Sequence, residues 1–235
     1  MTLVYINTYI VDNNIRTLKS FSFAGLSRLR VLNLENSGIF NIEKSAFFGL
    51  QNIDFFNLAK NSLYSIQINA FKNVSSIGQL SFNQIKAERI KSYTLKGLEH
   101  IILLSFTHSE VRKLESYSFF GVKNVTTINF HSSQVRDVMP FTFVGMGKVG
   151  TIKFKSTEIS TLSCDALKGL ECVRFVEWEL SPLRCDCHLQ WMVELSANTS
   201  RDITRGMHCA SPHNFRGRDP FELGKDELGC NDEER

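Results

Sequence analysis

Six cysteines and six histidines are the side chains of this 235-residue chain best suited to covalent or metal chemistry. Cys185, Cys187, His188, His208, Cys209 and Cys230 crowd toward its C-terminal end. Thiols and imidazoles at that density admit a zinc site or a pair of disulfides. Cys-x-Cys is tighter than the usual zinc-ligand spacing, which favours the disulfides. Four cysteines allow three pairings, and the sequence alone does not choose among them. Cys164 and Cys172 are left over. A third bridge between them and a pair of buried thiols are both open.

Other chemistry fails on context. Gly145-Met-Gly-Lys-Val-Gly150 matches the dinucleotide fingerprint letter for letter. That fingerprint needs a strand before it and a helix after it, so that pyrophosphate meets a helix N-terminus. Here a strand is expected directly after it, at Thr151 to Lys155. The histidines (His100, His108, His131, His188, His208, His213) show no His-Glu-x-x-His spacing, and no Gly-x-Ser-x-Gly elbow offers a serine nucleophile. No catalytic, cofactor or metal-binding residue is assigned, and the chain is not read as an enzyme.

The elements that must position these residues follow from a repeat. Stepping by 24 from Gly25 gives Gly49, Asn73, Gly97, Gly121, Gly145 and Gly169 without insertion or deletion. Neighbouring columns keep register: Phe23, Phe47, Phe71, Leu95, Phe119, Phe143, Leu167 is one, and Leu29, Ile53, Ile77, Ile101, Val125, Val149, Val173 another. An alternating pair, Leu32/Leu34, recurs as Phe56/Leu58, Leu80/Phe82, Leu104/Phe106, Ile128/Phe130, Ile152/Phe154 and Val176/Trp178. Alternation of this kind means a short half-buried strand. Columns headed by Ile15 and Leu18 then return the chain to the core. No unit can bury its apolar edge alone, so the units stack and their strands lie side by side. The repeat also accounts for 19 phenylalanines, as an internal spine.

This pattern resembles the leucine-rich repeat. The resemblance implies an α/β solenoid: a curved, right-handed horseshoe with one parallel β-sheet on its concave face and a disulfide-bonded C-terminal cap. Residues 1–180 form about seven repeats, the first incomplete; 181–230 form the cap and 231–235 a tail. The family's asparagine column reads Asn13, Ser37, Asn61, Ile85, Ser109, Ser133, Thr157 and Ser181. A hydroxyl can partly replace the amide there, but Ile85 cannot. A local irregularity is expected in that repeat, with Asn83 taking over. The run from Ser181 to Trp191, with Cys209-Ala-Ser-Pro and Cys230, is similar to the flanking cap of extracellular members. That likeness implies the bridges Cys185–Cys209 and Cys187–Cys230, with Leu189 and Trp191 in the core of a cap helix.

Disulfides place the chain in an oxidising compartment. Three sequons agree: Asn73-Val-Ser75, Asn124-Val-Thr126 and Asn198-Thr-Ser200. The net charge of +3 demands neither nucleic acid nor an anionic membrane. No apolar run approaches membrane-spanning length, so a membrane would be reached only through a segment outside this chain. No signal-peptide pattern opens the sequence, and no cysteine precedes Cys164 to build an N-terminal cap. The expectation is a fragment of an extracellular or cell-surface protein, with Tyr5, Ile10, Ile15 and Leu18 at an open edge.

A ligand is expected on the concave face, where residues flanking each buried pair point outward. The candidates are Asn33, Phe55, Asn57, Ser81, Leu103, Ser105, Asn129, His131, Lys153, Lys155, Phe175, Glu177 and Glu179. Small polar residues would give a smooth floor and Phe55, Leu103 and Phe175 apolar anchors. Lys153 and Lys155 stand one repeat before Glu177 and Glu179, where they either pair with each other or meet a partner. Lys148, Lys153, Lys155, Arg216 and Arg218 could instead hold a sulfated glycan. The resemblance implies recognition of a protein ligand or co-receptor by a receptor or adhesion protein; the alternative is a secreted matrix or scaffold component.

Overall fold

A 24-residue unit with one buried apolar edge has to find that edge's complement in the next unit, and the molecule is built by that repetition. The computed structural model describes residues 5–170, 173–191, 206–224 and 227–228. One parallel sheet of eight strands runs along the chain: β1 (Ile6–Tyr9), β3 (Leu29–Asn33), β5 (Gln51–Asn57), β8 (Val74–Ser81), β10 (Leu98–Ser105), β12 (Lys123–His131), β14 (Val149–Lys155) and β16 (Val173–Glu179). Its register advances by the period of the sequence, with Val31 opposite Phe55 and Phe55 opposite Gln79.

Behind it the return segments also pair, which the sequence does not announce. β2 (Arg16–Leu18), β4 (Ile39–Ile42) and β7 (Ser65–Ile66) make a three-stranded parallel sheet. β6 (Ser62–Leu63), β9 (Lys86–Ile90), β11 (Glu110–Leu114), β13 (Gln134–Val138), β15 (Glu158–Leu162), β17 (Pro182–Arg184) and β18 (His208–Ser211) make a seven-stranded one. The eight-stranded sheet is the parallel sheet the repeat predicts, and the return segments add these two further sheets behind it, carrying strands and turns in place of helices.

The core between the sheets is a stack of rings. Phe82, Phe106, Phe130, Phe154 and Trp178 lie one above another, with centroids 5.1, 5.0, 5.2 and 4.3 Å apart and planes within 13°. A second stack, Phe23, Phe47 and Phe71, fills the N-terminal half. Every glycine of the repeat column has positive φ, and Asn73 adopts φ 57° in the same place. Asparagine is among the few side chains that tolerate this conformation, which explains the one departure from glycine.

The polar column closes each turn. The hydroxyls of Ser109, Thr157 and Ser181 donate to the carbonyls of Phe82, Phe130 and Phe154, each at 2.8 Å, and those of Ser37 and Ser133 to Ile10 and Phe106. Asn61 does more: its Oδ1 accepts from Ser37 N and Ile39 N, and its Nδ2 donates to the carbonyls of Leu34, Leu58 and Ala59. Leu58 is the carbonyl that residue 85 would serve by the repeat. Asn61, not Asn83, therefore compensates for Ile85. Asn83 bonds forward, accepting from Ser105 Oγ and Thr107 N. The irregularity shows one repeat earlier than expected, where β6 and β7 divide the return strand. Asn61→Ala should cost about 2 kcal/mol, because it strips partners from buried backbone groups. Asn61→Ser should cost less, since serine serves elsewhere in the column. Thermal unfolding of the two variants tests this, and an alanine variant melting with the parent would refute it.

At the N-terminal end Leu18 is buried, whereas Ile10 and Ile15 only pack partly against the core and Tyr5 is exposed beneath the Arg30 guanidinium. Leu18 is thus a core residue and not part of an open edge. At the other end Leu189 is buried, and Trp191 packs against the core while its Nε1 donates to Leu162 O at 3.3 Å. Cys185 and Cys209 are joined in a disulfide, Cα atoms 5.5 Å apart. Cys187 is disulfide-bonded too. Its expected partner Cys230 lies outside the described residues, as does Cys172. Cys164 is exposed, which removes the buried-thiol reading for it.

Candidate ligand-binding face

The outward residues of the eight-stranded sheet fall into rows, as parallel pairing at a fixed period requires. One row runs Val31, Phe55, Gln79, Leu103, Thr127, Thr151, Phe175; the next runs Asn33, Asn57, Ser81, Ser105, Asn129, Lys153, Glu177.

The second row splits by role. Asn57, Ser81 and Ser105 are no more than 4% exposed. Their polar atoms face their own strand ends: Asn57 Oδ1 accepts from Ala59 N at 2.9 Å, and Ser81 Oγ accepts from Asn83 N at 3.4 Å. Ser105 Oγ donates to Asn83 at 2.7 Å and lies 3.0 Å from Thr107 Oγ1. The Asn57 and Ser81 bonds are side chain-to-backbone closures of a local turn, whereas Ser105 bonds only to side chains, those of Asn83 and Thr107. The three residues form a floor rather than a contact surface. Asn33 also accepts from Glu35 N, but it and Asn129 remain half-buried and reachable from solvent.

Glu35 bridges Asn57 Nδ2 at 3.1 Å and Lys60 Nζ at 2.8 Å. The hydrogen bond that the Lys60 ammonium donates to Glu35 holds it above its ordinary pKa. Toward the cap, Lys153 pairs with Glu177 at 2.9 Å and Lys155 with Glu179 at 2.8 Å. All four side chains are about half exposed, so each pair contributes only about 0.2–1 kcal/mol. His131, in register with Lys155, stands edge-on to His108 with ring centroids 6.0 Å apart. Among the described residues no three His, Cys, Asp or Glu side chains converge as metal ligands.

The apolar part of the face is larger than the sequence reading places there. Phe55 and Leu103 are half-buried and Phe175 is 49% exposed, with Arg174 over its ring. Ile102 is 64% exposed and lies outside the expected rows; Tyr9, which stands in them in register with Asn33, is exposed to the same extent. Two residues separate buried Ile101 from buried Leu104, so Ile102 and Leu103 both point out and strict alternation begins only beyond them. The signal was present in the three-residue spacing of the framework columns at 101 and 104.

The remaining motif residues are placed as follows. Gly145 holds a turn at φ +81°, while at Gly150, inside β14, a Cβ would stand 2.5 Å from Thr126 O. Close strand packing, not a pyrophosphate, accounts for that glycine. Asn73 and Asn124 are exposed, Asn124 with its Nδ2 3.3 Å from His100 Nε2, and Asn198 lies outside the described residues. Arg218 is held by Glu227 at 2.7 Å, which keeps Glu227 below the usual carboxylate range.

Comparison with known proteins follows the same lines. The family model described as leucine rich repeat matches residues 9–63 and 27–85, and that described as BspA type leucine rich repeat region, in six copies, matches residues 88–174. A search of curated proteins finds no match. Among solved structures, human 5T4 (Wnt-activated inhibitory factor 1, trophoblast glycoprotein) is similar at 20% identity and TM-score 0.56, over 95% of this chain and 87% of that one. A chain of the octameric complex of Latrophilin 3 (Lec, Olf), Unc5D (Ig, Ig2, TSP1) and FLRT2 (LRR) is similar at 17% identity and TM-score 0.58, over 94% and 68%. At these identities the likeness is one of fold.

Proposed function

Because the chain belongs to the leucine-rich repeat family, we propose that it is the recognition part of an extracellular receptor or adhesion protein and grips a protein ligand or co-receptor on the eight-stranded face. In this reading the repeats extend to residue 180 and the cap from 181 to 230. The observation that carries it is the exposure of Ile102 and Phe175 on a sheet whose strands are already paired within the chain. Apolar side chains of that size left in water are the usual anchors of a protein interface. The floor of buried polar residues between them presents little to bind and leaves shape to the anchors. The Cys185–Cys209 disulfide supports an oxidising compartment. The complex that contains FLRT2 (LRR) joins it to Latrophilin 3 and Unc5D, which supports protein partners for a solenoid of this shape.

The test is a binding screen of the purified chain against a panel of cell-surface ectodomains, repeated with Ile102→Glu/Phe175→Glu. A partner bound by the parent should lose at least tenfold in affinity with the double variant, while Ser160→Glu on the opposite sheet should change nothing. A partner indifferent to the double variant overturns the assignment of this face.

A further inference from the structure

On the eight- and seven-stranded sheets the chain pairs most of its charges from one repeat to the next: Arg30 with Asp54, Lys86 with Glu110, Arg112 with Glu88, Lys123 with Glu99, Lys153 with Glu177 and Lys155 with Glu179. One region breaks this habit. The seven loops that carry each return strand to the next strand of the eight-stranded sheet, described over residues 19–28, 43–50, 67–73, 91–97, 115–122, 139–148 and 163–170, stack along a single edge of the solenoid. These residues hold eight lysines and arginines against three acids, a balance of +5 where the whole chain has +3. Glu43, Glu115 and Asp165 are each engaged by a cation. Arg28, Lys44, Lys72, Lys91, Lys96 and Lys148 are exposed and form no ion pair among the described residues.

Aromatic rings run between these cations. Tyr93 stacks on Tyr117 at 5.9 Å and Tyr117 on Phe141 at 6.0 Å, with planes 3° and 18° apart. Phe120 meets the edge of this stack, and Lys96 lies 5.9 Å from its centroid; Lys72 and Lys168 sit likewise over Phe48 and Phe141. Tyr93, Tyr117 and Phe141 all have φ near 60°, a conformation costly for bulky side chains, at a position where other repeats use Ser45, Asn69 and Asp165. Stacked rings cover one another's faces. What they show to solvent is the electropositive ring edge and, from the tyrosines, hydroxyl donors.

We propose that this edge binds a sulfated polysaccharide, laid along the solenoid axis with its sulfates on Lys44, Lys72, Lys91 and Lys96 and its sugar rings along the aromatic stack. Seven loops at the strand spacing of about 4.8 Å make a track about 30 Å long. A narrow line of cations, ring edges and hydroxyls suits a linear anionic chain. In the oxidising compartment indicated by the disulfide that chain is an acidic glycan rather than a nucleic acid. The site is separate from the protein-binding face, and it replaces Lys153, Lys155 and Arg218, which the structure pairs with Glu177, Glu179 and Glu227.

The experiment uses a heparin oligosaccharide as probe and Asn73→Gly as the reference protein. That change removes a sequon beside Lys72 and restores the column glycine at a positive φ. The reference should bind heparin with an affinity that falls steeply with salt. Lys44→Glu/Lys72→Glu/Lys91→Glu/Lys96→Glu should weaken binding more than tenfold and flatten the salt dependence, since these four sites release the counterions. Tyr93→Ala/Tyr117→Ala should weaken it severalfold at the same salt slope, and Lys153→Glu/Lys155→Glu should leave it unchanged. The proposal is overturned if the reference fails to bind heparin at physiological salt, or if the quadruple variant binds as well as the reference. It is equally overturned if the Lys153/Lys155 reversal is as damaging, or if anionic phospholipid vesicles bind as tightly as heparin.

Discussion

Replacing Phe130 by alanine is expected to destabilise the protein by about 4 kcal/mol, the middle of the range for a buried aromatic. Phe130 is fully buried and stacked on both faces, by Phe106 at 5.0 Å and Phe154 at 5.2 Å, with Phe119 at 6.3 Å against its edge. The substitution removes its apolar burial, leaves a void that parallel strands on both sides prevent from closing, and forfeits two ring pairs of roughly 0.5–1.5 kcal/mol each beyond burial. The position within the stack sharpens the expectation. Stability in a solenoid is a sum over units and their nearest-neighbour interfaces. A lesion at Phe130 weakens two interfaces at once and should separate the unfolding of the N-terminal repeats from that of the cap end. Phe130→Leu should be much milder, because Leu34 and Leu58 fill the same column in earlier repeats. Urea unfolding followed by fluorescence and circular dichroism would show a lower midpoint and non-coincident transitions for the alanine variant. Coincident curves with a loss below about 1 kcal/mol would mean that the aromatic stack is not a continuous support.

How far the sequence foretells all this depends on which periodicity each element obeys. The eight-stranded sheet follows directly from columns 24 residues apart, since residues i and i+24 are pairing partners along its length. The return strands obey a different spacing. Their buried residues lie three apart, as in Ile39 and Ile42, Val111 and Leu114, and Val135 and Val138, with two exposed or half-exposed residues between. That is not the alternation of a half-buried strand, and so the second ladder was hidden. On the eight-stranded sheet, residue type gave position but not employment. Asn57, Ser81 and Ser105 stand in the expected row, yet the first two turn to their own backbone and Ser105 to the side chains of Asn83 and Thr107. Ile85 illustrates the converse: its failure to hydrogen-bond was legible, while the remedy, a second set of bonds from Asn61 to its own turn, depended on geometry. The aromatic edge was masked because tyrosine and phenylalanine occupy a left-handed position where Asn69 and Asp165 alone would have signalled the turn.

Removing the Cys185–Cys209 bridge by Cys185→Ser/Cys209→Ser is expected to cost about 3.5 kcal/mol, the chain-entropy value for a loop of this length. The sequence separation is 24. The effect should be local before it is global. β17 and β18 close the return sheet at this end, with Leu183 opposite Cys209, and Cys185 N donates to Ser211 O at 2.7 Å. Without the bridge these two strands, held by few backbone bonds, no longer seal Trp178 and Leu183, and the last rings of the aromatic stack gain access to water. Hydrogen exchange should therefore quicken first in β16 to β18 and leave β5 to β10 near parental protection. Because the units are coupled only through their neighbours, the damage should decay along the solenoid. The Phe130→Ala lesion, by contrast, should split the protein in its middle. Uniform loss of protection from β1 to β18 in the cysteine variant would show that the whole chain unfolds as one unit and that the bridge supports the fold globally. An unchanged exchange pattern would show that β17 and β18 hold the end without it.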